Sequence, residues 1–143
     1  MNMRRNFLLS LLALAASSAI AQSPKGNSRM ITLQALEEMF GNMRAKTKWN
    51  IDGDLLWGYF FFDRRQEKLR LLGQELQKAG YRLVNLYPSD DRSTYVLHVE
   101  KIEHHTPQTL HARNQEFYRL AEQNGIDSYD GMDVGPVLQP AKQ

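Results

Sequence analysis

Apolar residues recur along this chain with two periods, and the changes of period mark out its elements. Leu33, Leu36, Phe40 and Met43 stand at helical spacing behind Thr32, a residue suited to an N-cap. Glu37 and Glu38 lie early in that segment, where a helix dipole favours acids. This predicts a helix over 32–49, ending between Ala45 and Trp49, with Asn50 to Gly53 as a turn. Asp54 and Asp63 then bracket eight residues, seven of them large and apolar. That length and aromatic content predict one strand with both faces apolar, in the middle of a sheet.

After Asp63 the helical period returns. Leu69, Leu72, Leu76 and Ala79 form one stripe, with Asp63 placed to cap its start and Gly80 to end it in the left-handed conformation. Gly73 within the stripe costs about 1 kcal/mol relative to alanine; in exchange it allows close packing on a sheet. Residues 81–87 and 94–102 read as strands joined by the polar turn 88–93, an antiparallel hairpin. The second of these puts Tyr95, Leu97 and Val99 on one side and Val96, His98, Glu100 and Ile102 on the other. Thr106-Pro107 starts another helix, with Leu110, Phe117, Leu120 and Ala121 turned inward and Asn124-Gly125 as its end. A last short strand or turn spans 126–137.

From Asp54 the order is strand, helix, strand, strand, helix, strand. That is the βαββαβ pattern of an α+β, ferredoxin-like sandwich, here with an additional N-terminal helix. Three places are open to the extra helix: over a sheet edge, beside the helix pair, or exchanged with a partner chain.

The 143 residues allow one domain. Met1 to Arg5 is basic, residues 7–16 are an apolar run, and Ala19 and Ala21 form an Ala-x-Ala exit before Gln22. This predicts a signal peptide over 1–21, a flexible lead over 22–31, the domain over 32–137 and a tail over 138–143. The chain is then expected in the periplasm or secreted, with no membrane attachment after cleavage. The apolar run is short for a membrane anchor and favours the general secretory route; Arg4-Arg5 keeps twin-arginine export as the lesser alternative. No cysteine is present, which excludes a lipoprotein anchor and disulfides and leaves the core to hold the fold. Without Arg4 and Arg5 the chain carries 16 basic and 16 acidic residues. That balance gives no pull toward nucleic acid or anionic membrane.

The aromatic strand Leu56 to Phe62, the helix ending Ala79-Gly80-Tyr81, the hairpin, the second helix and Tyr129-Asp130-Gly131 together resemble the RraB family, regulators of ribonuclease E activity. The resemblance runs from about Asp52 to Val134. The family commonly closes on Tyr-Asp-Gly-Trp-Gly, and here Met132 and Asp133 replace the last two residues. The resemblance implies a ferredoxin-like fold and a non-enzymatic role, binding an enzyme and changing its activity. The near-neutral mature chain departs from the family's acidic character. The export signal separates it from ribonuclease E, an intracellular enzyme, so an unidentified protein partner outside the cytoplasm is expected, bound and inhibited in the manner of an immunity protein.

No sequence motif supplies a catalytic site. Glycine-rich phosphate loops, dinucleotide fingerprints and Gly-x-Ser-x-Gly are absent, and no cysteine nucleophile exists. His98, His104, His105 and His111 crowd into one stretch with Glu100 and Glu103, but without the i, i+4 spacing of a helical zinc site. Asp127, Asp130 and Asp133 outline a calcium loop only crudely; Asp130-Gly131 reads as a turn with Tyr129 packed on the sheet. No cofactor is expected. The leading expectation is a protein-binding sheet face containing Trp57, Tyr59, Phe61, Val96, His98, Ile102, Tyr129 and Asp130. A metal-dependent enzyme or small-molecule binder at His98, His104 and His105 is the alternative, and a homodimer stays open.

Overall fold

A computed structural model of the chain describes residues 30–138. The expected signal peptide, the lead up to residue 29 and the tail beyond residue 138 lie outside the described residues. Within them the order is α1 (Leu33–Lys46), β1 (Leu55–Asp63), α2 (Gln66–Lys78), β2 (Arg82–Pro88), β3 (Tyr95–Glu103), α3 (Pro107–Gln123) and β4 (Ser128–Gly135). None of these helices is long and apolar enough to cross a membrane.

The four strands form one sheet in the order β2-β3-β1-β4, and each neighbouring pair is antiparallel. This is the expected α+β, ferredoxin-like arrangement, with the aromatic strand β1 between two partners. Local chemistry sets the helix ends. Thr32 and Thr106 cap α1 and α3, each accepting from a backbone N–H three residues on. Pro107 fills the first turn of α3, where its missing N–H is no loss. Gly80, at φ +93°, ends α2, and the bonds from Tyr81 N–H to Leu76 and from Gly80 N–H to Gln77 close a Schellman motif. Gly73 lies against β3, where an added Cβ would sit 3.2 Å from Leu97.

Four sequence expectations shift. Ala79 is the exposed C-cap of α2 rather than part of its buried stripe. Leu120 is only half-buried, and Asn114 takes a buried place in the α3 stripe. Asp63 does not stand at the N-cap of α2, a position held by Arg65. It is the fully buried last residue of β1, and its carboxylate accepts the Arg65 N–H at 2.7 Å and the Asp127 N–H at 2.9 Å. Asp130-Gly131 is not a turn between elements but a bulge inside β4. Phe60 pairs with Gly131 and Phe61 with Tyr129, which leaves Asp130 as the extra residue. Gly131 supplies the positive φ of 102° that this bulge uses.

The bulge has a packing reason. Residues of a strand alternate between faces, so positions 129 and 132 would normally point opposite ways. One extra residue turns both toward α3, where the Tyr129 hydroxyl donates to Asn114 Oδ1 at 2.6 Å and Asn114 Nδ2 lies 3.5 Å from Met132 Sδ. The core is the layer between sheet and helices. Phe117 of α3 lies at its centre, with ring centroids of Tyr59, Phe61, Tyr81 and Tyr129 at 5.0 to 5.6 Å. The additional helix α1 packs beside α3 on this same side. Its Leu36, Phe40 and Met43 are buried, and Phe40 stacks on Trp57 at 5.9 Å.

Candidate functional site

Trp57, Tyr59 and Phe61 are each 0 % exposed under the helices, and Tyr129 is buried with them. These four residues of the expected binding face are core. The strand register explains the change. Phe61 pairs with Leu97 and Tyr59 with Val99, so the odd positions of β1 share the helix side with the odd positions of β3. The expectation had joined odd positions of one strand to even positions of the next, which lie on opposite faces.

The face away from the helices is built in rows across the strands. One row holds Ile102, Leu56 and Gly135; the next Arg82, Glu100, Gly58 and Asp133; the next Asn85, His98, Phe60 and Gly131; the last Tyr87, Val96, Phe62 and Ser128. Three of the expected residues are here. Ile102 is 54 % exposed, His98 is half-buried, and Val96 is buried within the face. Asp130 is exposed on the bulge. Leu56, Phe60, Phe62 and Tyr87 join them as half-exposed side chains. The result is a mostly apolar face crossed by one charged row.

The polar groups of that face are unevenly partnered. Arg82 pairs with the nearly buried Glu100. His98 stacks on Phe60, centroids 4.3 Å apart. Its Nε2 is sealed from solvent and makes no hydrogen bond among the described residues. Burial pushes the His98 pKa below its ordinary value; the charge of Asp133 opposes this and that of Arg82 adds to it. Asp133, exposed beside Gly58, has no hydrogen bond or ion pair with a described residue.

The histidines do not gather. His98 lies on the open face, His104 is exposed, and His105 is buried on the helix side. Among the described residues no three His, Asp or Glu side chains are placed to hold a metal ion. Asp127, Asp130 and Asp133 separate likewise: Asp127 binds Arg64, Asp130 stands on the bulge, and Asp133 lies over Gly58.

His105 belongs to a second polar cluster, at the end of β3 and the first turns of α3. Its Nε2 is 2.8 Å from Glu103 and 3.1 Å from the Tyr59 hydroxyl, and its Nδ1 is 3.0 Å from Thr109 Oγ1. Arg113 donates to both Glu103 oxygens at 2.6 and 2.9 Å. Burial would raise the Glu103 carboxyl, but the hydrogen bond from His105 and the charge of Arg113 hold it below the ordinary carboxylate value. A shallow cleft of about 670 Å³ opens over this cluster, lined also by Lys101 and Arg119. Every member of the Glu103–His105–Arg113 network has a partner within the chain, so the cluster ties α3 to β3.

Sequence reasoning missed Gly58, Asp133, Leu56, Phe60 and Phe62. A signal was present: in β1 the bulkiest rings stand at odd positions and the glycine at an even one, which marks the even side as the emptier face. Compared with known families, residues 33–134 match the model described as RraB, regulator of ribonuclease activity B. No curated protein matches the chain.

Proposed function

This chain belongs to the RraB family of regulators, and from that premise we propose that it is a non-enzymatic module that binds a protein partner outside the cytoplasm through the open face of its sheet. The observation that carries the surface is the one-sided helix layer. All three helices among the described residues lie on the side of Trp57, Tyr59 and Phe61, which leaves Leu56, Phe60, Phe62 and Ile102 facing outward. Contiguous apolar residues with a charged centre are the composition of an interaction site. The place of action rests on residues 1–21, which have the charged start, apolar middle and small-residue exit of an export signal. An exported regulator does not meet ribonuclease E, so the partner is an exported or incoming enzyme, and binding inhibits it.

Cell fractionation with the intact mass of the N-terminus tests the location. A periplasmic chain starting at Gln22 is the expected result. An uncleaved cytoplasmic chain overturns the exported reading and returns ribonuclease E as the target. Affinity capture from the compartment where the chain resides tests the face. Wild type is expected to retain one enzyme that Ile102→Glu loses, while Arg119→Glu, on the helix side, retains it. Equal capture by all three proteins overturns the assignment to the open face.

A further inference from the structure

We propose that the partner places a basic side chain, lysine or arginine, against the exposed carboxylate of Asp133 on the open face, flanked by apolar residues that cover Leu56, Phe60 and Ile102. This rests on the open face being the docking surface and adds the chemistry of what docks there.

The geometry begins at Gly58, in the middle of β1. It pairs with Glu100 on one side and Asp133 on the other, and Asp133 leans over it. A Cβ added at Gly58 would collide with the Asp133 carboxylate and lie 2.7 Å from His98 Nε2. The space a side chain would take at Gly58 is thus already filled by two polar groups from opposite sides, and Gly58 is buried beneath them. The next residue of β4 on this face is Gly135, where an added Cβ would meet open space. Asp133 is thus exposed, with glycines across from it and beside it and the Phe60–His98 stack in the neighbouring row.

Charge decides what fits. Leu56 and Phe60 flank Gly58 on the same face of β1, so a partner that covers both covers Asp133 as well. A carboxylate taken out of water without a counter-charge is costly, and the cost falls on the complex. Among the described residues no unengaged cation stands on this face to meet it. Arg82 is engaged by Glu100 on the far side of β1, and His98 is half-buried and stacked. An apolar plug would leave Asp133 unpaired, and an acidic group would repel it. A second copy of this chain brings its own Asp133 and Glu100 with one Arg82 already paired, which is poor self-complementarity. A lysine or arginine meets the charge, has open space beside it at Gly135 and, as a guanidinium, stacks on Phe60.

The test selects random dodecapeptides displayed on phage against the full chain as it is isolated from cells, in wild type, Asp133→Asn, Asp133→Lys and Ile102→Glu. Thermal melts confirm that each variant is folded. Wild type is expected to enrich peptides with Lys or Arg beside an apolar residue. Asp133→Asn should bind those peptides roughly tenfold more weakly, the loss of one charge-assisted hydrogen bond. Asp133→Lys should enrich acidic residues instead. Peptides lost with Ile102→Glu but showing no basic preference, or bound equally by Asp133→Asn, overturn the basic group and leave the face standing. Peptides indifferent to Ile102→Glu, or no enrichment at all, overturn both. A dimer in sedimentation that Ile102→Glu dissolves makes a second copy the occupant and overturns the basic partner.

Discussion

The two faces of the sheet are made from alternate residues of the same strands, yet they answer to different constraints. On the helix side, Trp57, Tyr59, Phe61, Leu97 and Val99 are all 0 % exposed, and the polar atoms of Trp57, Tyr59 and Tyr129 are partnered; among the described residues His111 Nδ1 of α3 is the sealed nitrogen of the helix layer without a partner. Trp57 Nε1 donates to the Glu103 carbonyl at 3.1 Å, and the Tyr59 and Tyr129 hydroxyls meet His105 and Asn114. Burial pushes the pKa of both tyrosines well above their ordinary value. On the other side, one imidazole nitrogen and one carboxylate lack partners, and Ile102 stands half in water. A packed, largely satisfied face holds a fold together; a face that leaves polar groups free among exposed apolar ones has the composition of an interaction surface.

The largest way to test this contrast is to hollow out the helix side. Phe117→Ala removes the ring that touches Tyr59, Phe61, Tyr81 and Tyr129. It is expected to cost about 3–5 kcal/mol in urea unfolding. A loss below about 1 kcal/mol would mean that the aromatic cluster is not the core.

A smaller effect is expected from Glu103→Gln, which leaves Arg113 and His105 without their shared carboxylate. The loss should be about 2–3 kcal/mol at neutral pH. The folded-state pKa of Glu103 lies below its ordinary 4.5. Wild type therefore binds fewer protons at this group when folded than when unfolded. The stability it contributes is fully present above 4.5 and is lost as pH falls through the lower folded value. Melting the two proteins side by side from pH 6 down should show the difference between them shrinking below about pH 4.5. A gap that widens on acidification would give the linkage the opposite sign.

The smallest effect belongs to the open face. Ile102→Glu is expected to change stability by no more than about 0.5 kcal/mol, because the side chain is already 54 % exposed. If it instead unfolds the protein, the open face is a second core surface and the contrast between the faces fails.

Much of the architecture was legible in the chain. The switches between helical and alternating periods placed six of the seven described elements and left 126–137 as a strand or turn, because periodicity is the imprint of burying one face. Thr32, Thr106-Pro107 and Gly80 named their own ends, since capping is a matter of a few adjacent residues. Asp63 was harder. Its carboxylate serves Asp127, sixty-four positions on, and no local pattern shows a bond that long-range folding makes. Tyr129-Asp130-Gly131 was legible as a turn dipeptide, but its role as a bulge depends on where β1 runs beside it.

The candidate site was legible only in part. The presence of a wholly apolar central strand was evident in the sequence, and so was the expectation that one face of its sheet would lack helices. Which face was not. A strand with large residues at both even and odd positions carries only the weak mark of its glycine at 58, and the register against β3 settles which side is inside. By itself the chain determined the order of elements, the helix ends at Thr32, Gly80 and Thr106, and the family to which 33–134 belongs, all of them properties of short stretches. Only the tertiary structure decided that Trp57 and Tyr59 face the helices while Gly58 lies under Asp133 on the other face, because a one-residue change of register exchanges the two faces of a strand.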